Sequence, residues 1–264
     1  MSDQETESPE PRRRKGIYLL PNLLTTAGLF AGFYAIVAAM GNHFGPAAIA
    51  IFVAMLMDGL DGRVARLTNT QSDFGVQYDS LSDLVCFGLA PSLVIYEWAL
   101  RDMSGFGWAW AKLGWLAAFV YAAGAALRLA RFNTQVGTAD KRYFQGLPSP
   151  SAAAVLAGLV WVGSDMGIPG ADMIAPGFVL TVLMGLLMVS NIRYYSFKEI
   201  DFRNRVPFVA VLLVVLVFVL TSVDPPKVLF SVFLIYALSG PVLTLSGLRK
   251  RRRERANRSG GGQG

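Results

Sequence analysis

Long apolar runs separated by short polar connections organise the chain from residue 16 to residue 247. A helix of about 20 apolar residues is long enough to cross the hydrocarbon core of a bilayer. The pattern predicts eight such helices, at residues 17–41, 46–68, 75–100, 108–132, 149–165, 171–192, 206–223 and 226–247. An all-α integral membrane protein follows, with one transmembrane domain at 16–247.

The basic residues predict how this helical bundle lies in the membrane. With eight helices, 21 of the 24 lysine and arginine residues fall on the side that holds both ends of the chain. Because cytoplasmic connections carry an excess of basic residues, that side is expected in the cytoplasm of a multi-pass protein of the cell (inner) membrane. The polar residues 1–15 then predict a disordered cytoplasmic tail, and the basic residues 248–264, ending in GGGQG, a flexible one.

Composition narrows the chemistry further. The chain is 53% hydrophobic and 16% charged, against about 25% charged in soluble domains. The net charge of +6 is explained by topology, so no nucleic-acid partner is expected. A single cysteine, Cys86, and a single histidine, His43, exclude a disulfide within the chain and a cysteine or histidine metal cluster. Any metal site must therefore use mainly oxygen ligands.

Carboxylates interrupt the apolar pattern where the second predicted helix ends and the third begins. At 100° per residue, two helical stripes hold small or charged residues: Asp58, Asp61, Gly62, Ala65 and Arg66 on the second helix, and Gly75, Asp79 and Asp83 on the third. The short connection between these helices predicts antiparallel neighbours whose stripes face each other. Four carboxylates would then converge near the cytoplasmic surface.

Such a convergence needs a cation, because unpaired carboxylates within a membrane repel one another and are costly to desolvate. Hard oxygen ligands favour Mg²⁺ or Mn²⁺, ions that proteins often hold together with substrate phosphates. Gly62, Ala65 and Gly75 leave room for a phosphate or a flat base near the backbone. Arg66 adds a positive charge suited to phosphate.

The pattern Asp58-x2-Asp61-Gly62-x2-Ala65-Arg66-x8-Gly75-x3-Asp79-x3-Asp83 resembles, in every position and gap, the signature of the CDP-alcohol phosphatidyltransferase family. The resemblance implies a helical membrane enzyme, usually a homodimer, that uses two divalent metal ions to transfer a phosphatidyl group from a CDP-linked donor to an alcohol, releasing CMP. It implies metal ligands at Asp58, Asp61 and Asp79. Asp83 would be a ligand, the general base, or both in different states. The CDP moiety would be surrounded by Gly62, Ala65, Arg66 and Gly75.

Three further stretches resemble the bacterial and archaeal phosphatidylserine synthases of that family: PNLLTTAGLFAGFYA at 21–35, RLARFN at 128–133 and FQGLPSPSAAA at 144–154. This resemblance implies CDP-diacylglycerol as donor and L-serine as acceptor. Arg128 and Arg131 can both face inward and bind the serine carboxylate, with Asn133 shaping the pocket, or they can lie at the helix end and set topology. The charge pattern by itself would equally suit glycerol 3-phosphate or inositol phosphate.

Two alternatives stay open at this point. Asn22 and Thr25 can contact the nucleotide, or they can form an N-cap or a hydrogen bond between helices. The aspartates could also serve a membrane cation transporter, which predicts a polar path through the bilayer. The later predicted helices carry almost no ionisable residues, which favours the enzyme.

Overall fold

The computed structural model describes residues 19–134, 143–195 and 208–260, and the tail predicted at 1–15 lies outside them. The α-helices are α1 Leu19–Met40, α2 Phe44–Leu67, α3 Asp73–Asp83, α4 Ala90–Trp98, α5 Trp108–Thr134, α6 Ser149–Asp165, α7 Ile174–Val189, α8 Phe208–Val223 and α9 Pro225–Gly260. A π-helical segment, Leu84–Leu89, joins α3 to α4, and 3-10 turns lie at Leu100–Phe106 and Gly170–Met173. Each predicted span has a helix at its place, so the all-α class is confirmed.

The helices identify a multi-pass membrane protein. Six helical segments of the described chain are long and apolar enough to cross a membrane. The helices α6, with 17 residues, and α8, with 16, are shorter. Helix α6 packs against α2, α4, α7 and α9, and residues 151–160 are all buried. Its many alanine and glycine residues permit this enclosure, because small side chains let helix backbones approach closely.

Helix α1 forms one wall beside the two aspartate-bearing helices, since it contacts both α2 and α3. It also lies tight against the π-helical segment. A Cβ atom at Gly32 would stand 2.7 Å from Cys86 Sγ and 3.0 Å from Cys86 Cα, so a larger residue would push the two segments apart. The Cys86 thiol donates a hydrogen bond to Gly28 O at 3.2 Å. Cys86 is thus a buried packing residue of this contact.

The π-helical segment has a local chemical explanation. Pro91 lacks a backbone N–H, so it cannot donate the α-helical hydrogen bond to Phe87 O. The hydroxyl of Tyr121, on α5 and fully buried, donates to that carbonyl at 3.0 Å instead. A π-bulge rotates the residues before it relative to those after it. The Tyr121 hydroxyl thereby ties the π-helical segment, which directly follows Asp83, to α5.

A small antiparallel ribbon was not predicted from the sequence. Strand β1, Tyr143–Gln145, pairs with β2, Arg193–Tyr195, so that Phe144 lies opposite Tyr194. Three-residue strands are too short to show alternation. The ribbon ends in a turn at Gly146, whose φ is +78° and whose N–H donates to Ile192 O at 2.9 Å. This turn, followed by a bond from Leu147 N to Leu187 O at 3.0 Å, fixes where α6 begins.

The last helix extends into the stretch 248–264, for which the flexible tail stays a prediction. Helix α9 continues from Pro225 to Gly260 without a break at residue 248. Arginine, lysine, glutamate and alanine dominate residues 249–256, and all four favour helix once a preceding helix supplies the nucleus. The last four residues, 261–264, lie outside the described part of the chain.

Candidate active site

The C-terminal half of α2 and the first turns of α3 bring three carboxylates together. Asp58, Asp61 and Asp79 each offer an oxygen, and these three atoms lie within 4.8 Å of one another. Asp61 is buried, with 5% of its surface exposed, and the other two are partly buried. The two helical stripes therefore do face each other. Carboxylate oxygens at this spacing can share one cation.

Asp83 lies one turn beyond Asp79 on the same face of α3 and is also partly buried. It is near enough to the cluster for the charges of Asp58 and Asp79 to act on it, and the positive charge of Arg128 acts on it from α5. Asp83 is thus within electrostatic reach of both the carboxylate cluster and Arg128 on α5.

The residues present fit a divalent cation. Oδ1 of Asp79 is buried and has no hydrogen-bond partner among the described residues. Buried polar atoms in native proteins almost always have a partner, so a bound cation would supply the partner that this oxygen lacks. The donor set of three carboxylates, without nitrogen or sulfur, matches a hard ion such as Mg²⁺ or Mn²⁺. The cluster could therefore hold a metal.

Helix α1 supports this cluster through Thr25. Its hydroxyl lies 2.6 Å from Asp61 Oδ2, a short hydrogen bond of the kind that a hydroxyl donates to a carboxylate, and 3.1 Å from Pro21 O. Thr25 therefore orients a candidate metal ligand. Asn22 lies one turn earlier, and its Oδ1 would be 3.4 Å from a Cβ at Gly75. Gly75 thus lets α1 and α3 approach.

The small residues on α2 leave an open surface beside the carboxylates. A Cβ atom at Gly62 would meet nothing within 4 Å, and Gly62 is exposed. Ala65 is partly buried on the same stripe. Arg66 is exposed, and its Nε donates to Gly62 O at 2.9 Å, so the side chain folds back along its own helix. The stripe offers space and one guanidinium next to the acidic cluster.

The three residues predicted to bind serine have different surroundings. Arg128 Nη1 donates to Ser149 Oγ at 2.7 Å, inside the bundle. Arg131 Nη1 donates to Val189 O at 3.1 Å and to Asn191 Oδ1 at 3.3 Å, so it caps the C-terminal end of α7. Asn133 Nδ2 donates to Ser80 Oγ at 3.0 Å, which joins the end of α5 to α3. Of the two arginines, Arg128 is the one beside Asp83.

Sequence reasoning missed two groups at this site. Ser149 lies within the FQGLPSPSAAA stretch, and its bond to Arg128 spans 21 residues with no local signal. Tyr121 lies in an apolar helix and looks like an ordinary core aromatic. The presence of Pro91 inside a predicted helix was the one available sign that a carbonyl would need an outside donor.

Known proteins resemble the chain across this site. The family described as CDP-alcohol phosphatidyltransferase matches residues 18–192. A CDP-diacylglycerol--serine O-phosphatidyltransferase of Helicobacter pylori strain J99 is 36% identical over 224 residues, which cover 84% of this chain and 90% of that protein. Proteins of the same name from Methanocaldococcus jannaschii and Bacillus subtilis are each 32% identical, over 75% and 68% of this chain and 83% and 92% of their own lengths.

Proposed function

The chain belongs to the CDP-alcohol phosphatidyltransferase family, and from this premise we propose that it transfers the phosphatidyl group of CDP-diacylglycerol to the hydroxyl of L-serine, forming phosphatidylserine and CMP. The observation that carries the proposal is the meeting of Asp58, Asp61 and Asp79 within the stretch that matches the family. Serine is chosen as the acceptor because the similar proteins from two bacteria and an archaeon bear the serine enzyme's name.

The donor substrate would bind along the open stripe of α2. Gly62 and Ala65 leave space there for the cytidine and its pyrophosphate, and Arg66 lies close enough to the stripe to contact a phosphate. Asn22 and Gly75 form the opposite edge, where α1 meets α3. Mg²⁺ or Mn²⁺, as a pair of ions held by Asp58, Asp61, Asp79 and in part Asp83, would neutralise the pyrophosphate and stabilise the leaving CMP.

Asp83 is proposed as the general base. The serine hydroxyl oxygen forms a bond to the phosphorus of the phosphatidyl group, and the bond from that phosphorus to the CMP oxygen breaks. The hydroxyl proton passes to the Asp83 carboxylate, so atoms and charges balance when CMP leaves with the electron pair of the broken bond. A carboxylate within hydrogen-bond reach of the attacking hydroxyl is the requirement for this role. The electrostatic influence of both the cluster and Arg128 on Asp83 supports the assignment.

The orientation and assembly of the enzyme are proposed from charge and from family membership. The aspartate cluster lies at the end of α2 that carries Arg63 and Arg66, and the distribution of basic residues along the chain supports a cytoplasmic position for that end. The water-soluble substrate serine and the product CMP would then enter and leave on the cytoplasmic side. A homodimer is proposed because members of the family usually assemble that way.

The test measures CMP release by the purified protein in mixed micelles of detergent and CDP-diacylglycerol. L-serine, glycerol 3-phosphate and inositol phosphate are supplied separately, with Mg²⁺, with Mn²⁺ and with a chelator. Serine-dependent CMP release that the chelator abolishes is expected. The variant Asp79→Asn should lose most activity while still folding, whereas Asp73→Asn, an exposed aspartate of the same helix outside the cluster, should keep it. CMP release with another acceptor but not with serine would overturn the choice of substrate.

A further inference from the structure

Arg128 has a buried hydrogen-bond donor that the described residues do not use. Its Nη1 donates to Ser149 Oγ, but its Nε is buried and has no hydrogen-bond partner among the described residues. A buried guanidinium is costly unless its N–H groups are paired, and carboxylates are the anions that match its planar fork. On this side chain the fork away from Nη1 consists of Nε and Nη2. The unpartnered Nε therefore marks this edge as the one on which a planar anion would bind.

Ser149 is held more firmly than most serines at the start of a helix. It is the first residue of α6, is fully buried and lies between Pro148 and Pro150. The preceding turn is tied to α7 and the segment after it by the backbone bonds of Gly146 and Leu147. Proline fixes φ on both sides, so the position of the Ser149 hydroxyl varies little. A fixed acceptor 2.7 Å from Nη1 determines how the Arg128 plane is rotated.

We propose that Ser149 is a positioning residue that holds Arg128 so that its Nε–Nη2 edge binds the carboxylate of the acceptor amino acid. This inference rests on the proposed function and adds the part of the pocket that selects the substrate. The charges of Arg128 and Asp83 act on each other, so one acceptor molecule could contact both side chains. An acceptor that contacts both would carry a hydroxyl for Asp83 and a carboxylate for Arg128. Short β-hydroxy amino acids have this arrangement, whereas a sugar phosphate does not.

The experiment compares L-serine with L-serinamide, which keeps the hydroxyl and the ammonium but lacks the carboxylate. Ser149→Ala should raise the KM for serine about tenfold, the effect of weakening one charge-assisted contact, with a smaller change in kcat. The inhibition constant of serinamide against serine should stay unchanged, because serinamide does not use the carboxylate contact. Ser149→Thr keeps a hydroxyl and should restore most of the affinity for serine.

Controls separate this role from general packing. Ser151→Ala removes another buried serine hydroxyl from the same helix and should leave both constants unchanged. If Ser149→Ala does not fold, Ser149→Cys, of similar size but a weaker acceptor, provides the same comparison. Equal losses for serine and serinamide, or an unchanged serine KM, would overturn the positioning role. Wild-type protein that forms no phosphatidylserine would overturn the proposed function itself, which is a different outcome.

Discussion

The hydrogen bond between Thr25 and Asp61 offers a sensitive test of the candidate metal site. Thr25→Val replaces the hydroxyl by a methyl group of almost the same size, so the packing of α1 against α2 is kept. The hydroxyl has one proton and two acceptors nearby, and the bond to Asp61 Oδ2, at 2.6 Å, is shorter than the one to Pro21 O, at 3.1 Å. The variant therefore removes the group that holds a buried carboxylate in its orientation.

Groups that orient a metal ligand typically contribute a factor of about 10 to 100 in metal affinity. We expect the lower end, because the threonine proton is shared with a backbone carbonyl. The Mg²⁺ or Mn²⁺ concentration that gives half-maximal CMP release should thus rise about tenfold, which corresponds to about 1.4 kcal/mol. Activity at saturating metal should recover to near the wild-type level, since none of the carboxylates is lost.

The assay titrates the metal at saturating serine and CDP-diacylglycerol. Thr25→Ser, which keeps the hydroxyl, should resemble the wild type. Thr181→Val is the matched control, because Thr181 is also buried and, within the described part of the chain, its hydroxyl donates to Gly177 O of its own helix α7 at 2.7 Å. An unchanged metal requirement in Thr25→Val would refute the orienting role. A lowered requirement would show instead that the hydroxyl competes with the metal for Asp61, which also contradicts the argument.

Further expectations concern the base, the acceptor pocket, the π-helical segment and topology. Asp83→Asn should lower kcat much more than it raises the KM for CDP-diacylglycerol; an equal loss of donor affinity would mark a metal ligand instead. Arg128→Lys should raise the serine KM, by about 1–3 kcal/mol of binding, more than Arg131→Lys does in the same steady-state kinetics. Tyr121→Phe should lower the free energy of unfolding by about 1–2 kcal/mol in thermal or denaturant melts, because it leaves a buried carbonyl without a donor. A cysteine placed at His43 in a cysteine-free background should react with an impermeant reagent outside intact cells, and protection there would contradict the orientation.

The sequence by itself determined the helices and the two acidic stripes. Both follow from local rules: apolar length decides which segments can cross a bilayer, and the 100° turn per residue decides which side chains share a face. The spacing of Asp58 and Asp61, and that of Asp79 and Asp83, therefore predicts the candidate site from the local sequence, without reference to any other helix. The short connection after α2 was enough to predict that the two stripes would meet, and the three carboxylates do gather.

Tertiary structure alone decided which distant groups support that cluster. Arg128 and Arg131 are separated by about 300° of helical turn and so point in nearly the same direction, and no local rule distinguishes them. The packing of the helices distinguishes them, because Arg128 donates a hydrogen bond to Ser149 of α6, whereas Arg131 donates to a carbonyl at the C-terminal end of α7. The ribbon that fixes the start of α6 joins segments about 50 residues apart, in strands too short to show a period. Such contacts depend on how each helix is rotated and placed against the others, which is a property of the whole packed bundle.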